Sequence, residues 1–108
     1  MAELCLDTGH WLYAGQDPVA AYERWSERVP YLHLKDLDGE MQRDDFWEAV
    51  RRGVFRPLGD GCLDLPGFIG ALRRCEFDGW AVVEQDGPRD RDPVADLARS
   101  RRLIEELT

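Results

Sequence analysis

Asp7, His33 and Glu84 each close a short apolar run: Leu4-Cys5-Leu6 before Asp7, Tyr31-Leu32 before His33, and Trp80-Ala81-Val82-Val83 before Glu84. If those runs are parallel strands, the three polar groups stand at strand C-termini, where α/β folds collect their functional side chains. Two carboxylates and one imidazole arriving from adjacent strands suit a divalent metal such as Mn²⁺, Co²⁺, Mg²⁺ or Zn²⁺. No thiol stands with them, which argues against a structural cysteine-type zinc site. Taken singly, each residue has a plainer explanation. Asp7 before Thr8-Gly9 reads as a turn or cap residue, and His33 as a hydrogen-bonded core histidine. Glu84 is harder to dismiss, because burying an unpaired carboxylate is costly. The equivalent placement on three successive strands makes the set a candidate site.

Two more residues belong beside them. His10 lies three positions past Asp7 and reads as a substrate-binding or supporting group, or as a solvated loop histidine. Lys35 falls on the same side of its strand as His33 if the strand runs that far. It is placed to meet a substrate oxygen, or to form a salt bridge at the rim. Gly59-Asp60-Gly61 lacks the Lys-Ser/Thr of a phosphate-binding loop and reads as a tight loop near a ligand. Trp11, Trp25, Trp47 and Trp80 read as packing residues rather than a stacking platform.

The elements that must position these groups follow from pattern. Residues 2–6 form a first strand ending at Asp7, and Thr8-Gly9-His10 opens a polar loop. Asp17-Pro18 starts a helix as N-cap and first helical residue. Tyr22, Trp25 and Val29 form its apolar face, and Pro30 ends it. Tyr31–Leu34 is the second strand, and 36–43 is loop. Residues 44–52, with Phe46, Trp47 and Val50, form a short helix closed by Gly53, and 56–61 is a turn-rich connection. Leu65, Phe68, Ile69 and Leu72 recur at i, i+3, i+4 and i+7, which predicts an amphipathic helix. Asp78-Gly79 turns into a third strand, Trp80–Val83, expected to be buried. Asp92-Pro93 starts the last helix, with Val94, Leu97, Ala98, Ile104 and Leu107 on its apolar side. Asp-Pro-Val-Ala at 17–20 recurs at 92–95 and reads as two equivalent helix caps. Strands alternating with amphipathic helices give an α/β fold with a parallel sheet and right-handed crossovers.

Composition sets the outer bounds. The chain has 108 residues, 14 Lys and Arg against 22 Asp and Glu, and a formal net charge of −8. That is an ordinary globular balance for one domain with a modest core. A complete eight-fold βα barrel needs about 250 residues. The acidic balance and scattered basic pairs argue against nucleic acid as a partner. No apolar run approaches the roughly 20 residues of a membrane span, and no signal peptide is visible. Cys5, Cys62 and Cys75 lack CxxC spacing. They read as small buried hydrophobes of a cytoplasmic protein.

Leu4-Cys5-Leu6-Asp7-Thr8-Gly9-His10, His33-Leu34-Lys35-Asp36, Leu58-Gly59-Asp60-Gly61-Cys62-Leu63-Asp64 and Val82-Val83-Glu84-Gln85-Asp86, in that order, resemble the last part of the xylose-isomerase-like barrels. That superfamily contains sugar phosphate isomerases and epimerases, inosose dehydratases and endonuclease IV. Gly53-Val54-Phe55 and the Glu-Gln-Asp ending look most like the inosose dehydratase branch, with its place in sugar and myo-inositol catabolism. The resemblance implies a partial (β/α)₈ TIM barrel, with residues 1–108 as about three C-terminal βα units. It implies a metal held by Glu, Asp, His and Glu on the last four strands, of which Asp7, His33 and Glu84 match the last three. The first Glu would precede Asp7 by a βα unit. Glu84 matches one of the two proton-moving glutamates, and His10 matches a substrate-contacting histidine. The arginine that some epimerases carry after the ligand histidine has no clear match, with Lys35 and Arg43 as the candidates. The implied reaction is metal-dependent proton abstraction next to the carbonyl of a keto-sugar or cyclitol, by an isomerase, epimerase or dehydratase. The expected partner is that small molecule, with the missing barrel half or a second copy completing the sheet, and the chain by itself is expected to be inactive. The alternative is a non-catalytic remnant or interaction module. An abasic-site endonuclease fits poorly, since its DNA groove wants basic residues and further histidines.

Overall fold

The computed structural model describes residues 2–87 and 90–108. Its centre is a three-stranded parallel sheet in the order β1-β2-β5, formed by β1 (Cys5–Asp7), β2 (Tyr31–Leu34) and β5 (Trp80–Val83). Register places Cys5 beside Tyr31 and Tyr31 beside Trp80, with Asp7 beside His33 and Leu34 beside Val83. Side chains alternate across a strand, so Leu6, Leu32 and Leu34 share one face and are buried. Tyr31 and His33 take the other face.

The buried face is covered by helices α2 (Pro18–Trp25), α4 (Leu65–Arg74) and α5 (Pro93–Leu107). Tyr22 of α2, Phe68 and Ile69 of α4, and Leu32 and Leu34 of β2 form the main core. The Tyr22 and Phe68 rings lie 5.7 Å apart. A second, smaller cluster joins Leu37, Ala49, Val54 and Phe55. It is built on an antiparallel pair, β3 (Asp36–Leu37) with β4 (Phe55–Arg56), and on helix α3 (Phe46–Arg51).

Every α-helix among the described residues starts from an aspartate cap. In α1 (Thr8–Tyr13) the Asp7 side chain accepts from the His10 amide, and Asp17, Asp45, Asp64 and Asp92 cap α2 to α5 in the same way. Both copies of Asp-Pro-Val-Ala are therefore helix starts, as the repeat predicts.

The structure corrects several sequence readings. Thr8-Gly9-His10 is the first turn of α1, because the Asp7 cap and the hydrogen bonds of Thr8 to the Lys35 backbone, just past β2, outweigh weak helix propensity. The 36–43 segment is not all loop, since Asp36–Leu37 pairs with β4. α2 ends at Trp25 and a 3₁₀ turn, Ser26–Arg28, carries Val29 into the core. β5 is half-exposed rather than buried, with Trp80 and Ala81 open and Val82 and Val83 partly covered, because among the described residues only β2 pairs with it. Trp80 is 75% exposed, and Trp25 and Trp47 are exposed too, which leaves Trp11 as the one partly buried tryptophan packed on the core. Cys5 and Cys62 are exposed and Cys75 is half-buried. Val94, Leu97 and Ala98 face outward on α5, and Asp96 and Ser100 face inward. The Asp96 carboxylate is held by Arg91, and the Ser100 hydroxyl accepts from the Leu58 amide. Polar pairing fixes the rotation of that half of the helix. The second half follows expectation, with Ile104 and Leu107 against the core.

Candidate metal and proton-transfer site

The parallel register brings the strand ends together. Asp7 and His33 are paired neighbours, and the Glu84 amide donates to the Leu34 carbonyl at 3.2 Å, one residue past the β5 ladder. One ligand atom each from Asp7, His33 and Glu84 lies within 4.8 Å of the other two. His33 Nδ1 lies 3.6 Å from Asp7 Oδ2 and 3.2 Å from Glu84 Oε1. The two Asp7 oxygens divide their work. Oδ1 accepts the His10 amide at 2.9 Å as the helix cap, and Oδ2 faces His33 and the His10 ring, whose Nδ1 is 3.2 Å away. The cap locks the carboxylate rotamer, so folding of α1 aims the free oxygen. Carboxylate oxygens and an imidazole nitrogen at this spacing fit a divalent ion of the Mn, Co, Mg or Zn type.

Lys35 enters the same space. Its ammonium lies 2.6 Å from Asp86 Oδ2, 2.8 Å from Glu84 Oε2 and 3.4 Å from Asp7 Oδ2. It also lies 4.7 Å from the centre of the Phe55 ring. Burial pulls its pKa down, but the hydrogen bonds to Asp86 and Glu84 and the Asp7 charge outweigh that, and the net shift is upward. The group is therefore a held cation, not a base. Only 2% of Lys35 is exposed, so its salt bridges are buried rather than at the rim. Its backbone is fixed by Thr8, whose hydroxyl donates to the Lys35 carbonyl at 2.7 Å and accepts its amide at 2.9 Å. Its stem runs across Gly9, where a Cβ would come within 2.8 Å of Lys35 Cγ and Cδ.

The next residue, Asp36, is a buried carboxylate with no role assigned by the sequence. Oδ1 accepts the Leu37 and Leu63 amides, both at 2.8 Å, and Oδ2 accepts those of Gly59 and Gly61 at 3.0 and 3.1 Å. The Gly59-Asp60-Gly61 loop thus wraps the chain's own carboxylate, and its amides are committed. A Cβ on Gly61 would collide with the Leu37 carbonyl and Asp36. Asp60 itself turns outward to Arg99.

Among the sequence candidates, Asp7, His33, Glu84, His10 and Lys35 all converge. Arg43 does not. It donates to the Leu12 carbonyl and lies 5.7 Å from the Tyr13 ring centre. The residue the sequence reading missed is Asp86. It sits two positions after Glu84, the spacing that returns a side chain to the same side of an extended chain. The Cys5 thiol is pushed up by desolvation and by the Asp7 and Glu84 charges, which keeps it a neutral thiol.

Residues 2–107 match the family described as Xylose isomerase-like TIM barrel. The chain belongs to that family. It is 34% identical to an inosose dehydratase of Geobacillus kaustophilus (strain HTA426), over 99% of this chain and 37% of the relative. It is 35% identical to the rhizopine catabolism protein MocC of Rhizobium meliloti, over 84% of this chain and 30% of that protein. Among solved structures, a xylose isomerase domain protein from Planctomyces limnophilus matches with a TM-score of 0.73 and 22% identity, over 97% of this chain and 37% of the other. The chain thus spans about a third of the length of the curated relatives it matches. Its three-stranded sheet is a partial barrel, open among the described residues. No helix among them is long and apolar enough to cross a membrane.

Proposed function

We propose that the chain carries the metal-holding and proton-moving strand ends of a sugar- or cyclitol-modifying barrel, and that it forms the C-terminal part of that barrel. The reaction class is isomerisation, epimerisation or dehydration by proton abstraction next to a carbonyl. The observation that carries this reading is the convergence of Asp7, His33 and Glu84 at the ends of adjacent parallel strands. The relatives named inosose dehydratase support a keto-sugar or cyclitol as the substrate class.

Asp7, His33 and Glu84 would hold the ion. A divalent ion held by them would supply positive charge that acidifies the C–H next to the substrate's carbonyl. Glu84 takes that proton. Its carboxylate is partly open to solvent, with Oε1 toward His33 and Oε2 toward Lys35. Lys35, held protonated, offers its charge to the oxygen on which the enolate develops. His10, half-exposed on the first turn of α1, contacts a substrate hydroxyl. A dehydratase adds departure of the hydroxyl group on the next carbon.

The test is deuterium wash-in from D₂O at the carbon next to the carbonyl of 2-keto-myo-inositol, read by mass spectrometry with Mg²⁺ or Mn²⁺ present. With its sheet completed by the proposed partner strands, wild type exchanges, and Glu84→Gln slows exchange by about 10²-fold or more. Equal exchange in both proteins contradicts the reading.

One observation favours a second reading, a non-catalytic module. The Lys35 ammonium sits among Asp7, Glu84 and Asp86 and already neutralises one of their three negative charges. In that case chelation with EDTA leaves the melting temperature unmoved. The outer edges of β1 and β5 have no partner strand among the described residues. In either reading we propose that further barrel strands or a second copy pair there. A cooperative monomer in sedimentation would count against that pairing.

A further inference from the structure

Trp47 leaves most of its indole outside the core. It is 68% exposed, yet the helix that carries it is firmly seated. Asp45 caps α3, Ala49 is buried beneath it, and the Phe46 ring stands edge-on to Trp47 at 5.1 Å. An exposed indole on a fixed mount is a surface prepared for contact.

The contact surface lies beside the strand-end site. A cleft of about 550 Å³ is lined by His10, Phe46, Trp47, Phe55, Gln85 and Asp86, among others. Two of these are already tied to the site: His10 to Asp7, and Asp86 to Lys35. The His10 ring bridges the two chemistries, standing edge-on to Phe55 at 5.4 Å and tilted against Phe46 at 5.9 Å. One wall is therefore aromatic and the other polar. Gln85 adds a buried side-chain oxygen, Oε1, with no hydrogen-bond partner among the described residues.

We propose that this cleft is a ring-recognising subsite, with Trp47 as the residue that selects cyclic polyols over open-chain ones. A six-membered polyol presents a flat C–H face and a hydroxyl-bearing edge. The C–H face stacks on Trp47 with Phe46 and Phe55 behind it, and the edge meets His10, Gln85 and Asp86. An open-chain ketose has no such face and gains little from the indole. The proposal rests on the reading of the site as one that takes a keto-sugar or cyclitol.

The test is direct binding, by calorimetry, of 2-keto-myo-inositol and of erythrulose, a four-carbon ketose that cannot close a stable ring. Wild type, Trp47→Ala and Trp47→Phe are compared, with Mn²⁺ binding followed separately by electron paramagnetic resonance. Trp47→Ala is expected to weaken keto-inositol binding about tenfold and erythrulose binding less than twofold. Trp47→Phe is expected to recover most of the loss, and Mn²⁺ affinity to be unchanged in both. Equal losses for the two ligands, or no loss for either, overturn the subsite. A change in sedimentation of Trp47→Ala with ligand binding unaltered also overturns it and makes the indole a protein contact. Loss of Mn²⁺ binding in wild type with the ring selectivity intact overturns the metal reading alone. Absence of keto-inositol binding to wild type overturns both.

Discussion

Lys35 Nζ lies 2.8 Å from Glu84 Oε2, and this ion pair ties the C-terminal ends of β2 and β5 together. It also sets a competition. Any cation that enters between Asp7 and Glu84 shares their oxygens with an ammonium that is already there.

Removing that ammonium exposes the competition. Lys35→Met leaves Asp7, Glu84 and Asp86 without their common partner, and carboxylates that close repel. The loss is about 2–3 kcal/mol, below the full cost of breaking a buried pair because Glu84 and Asp86 are partly open to solvent. Thermal unfolding of the variant is expected to recover on adding Mn²⁺, by a larger shift than in wild type. A variant as stable as wild type without metal contradicts this account of Lys35.

Asp36 makes a separate prediction about the loop beneath the site. Four backbone amides converge on its two oxygens. The Asp36→Asn substitution keeps one acceptor oxygen and turns an N–H₂ group against two of those donors. It is expected to cost about 2–4 kcal/mol in urea unfolding. An unchanged midpoint would show that the Gly59-Asp60-Gly61 loop does not depend on the carboxylate.

Acid stability should report on Asp38, outside the site. The Glu40 amide, then the Arg56 guanidinium, hold its carboxyl below the usual carboxylate range. A depressed folded-state pKa contributes stability above the unfolded value of about 3.9, and that contribution disappears as pH falls through the lower folded value. Asp38→Asn is therefore expected to be less stable than wild type at pH 7, by about 1 kcal/mol. The gap should close below pH 4. A gap that persists at low pH contradicts the assignment.

Much of this arrangement is legible in the sequence. Asp7, His33 and Glu84 stand out because each ends an apolar run, and parallel pairing brings equivalent strand ends together. The helix starts at Pro18 and Pro93 stand out because Asp-Pro is a local signal. The β3–β4 pair does not, since two-residue strands carry no periodicity, and only their pairing in the fold identifies them. α1 is hidden because Thr8-Gly9 has weak helix propensity and depends on the Asp7 cap. The exposure of Cys5, Trp80 and Trp47 is not legible either. It depends on which faces the fold leaves uncovered, and composition does not encode that. Asp36 and Asp86 lie in recognisable motifs, but their partners are distant in sequence, so only the fold reveals what they hold.

The most direct measurement is Mn²⁺ titration of the full chain, followed by loss of the free-ion paramagnetic resonance signal, in wild type, His33→Ala and Glu84→Gln. Tight binding of one Mn²⁺ per wild-type chain is predicted. Each variant should bind at least about tenfold more weakly, with unchanged circular dichroism. Binding that is absent from wild type, or indifferent to both substitutions, contradicts a metal centre built from Asp7, His33 and Glu84.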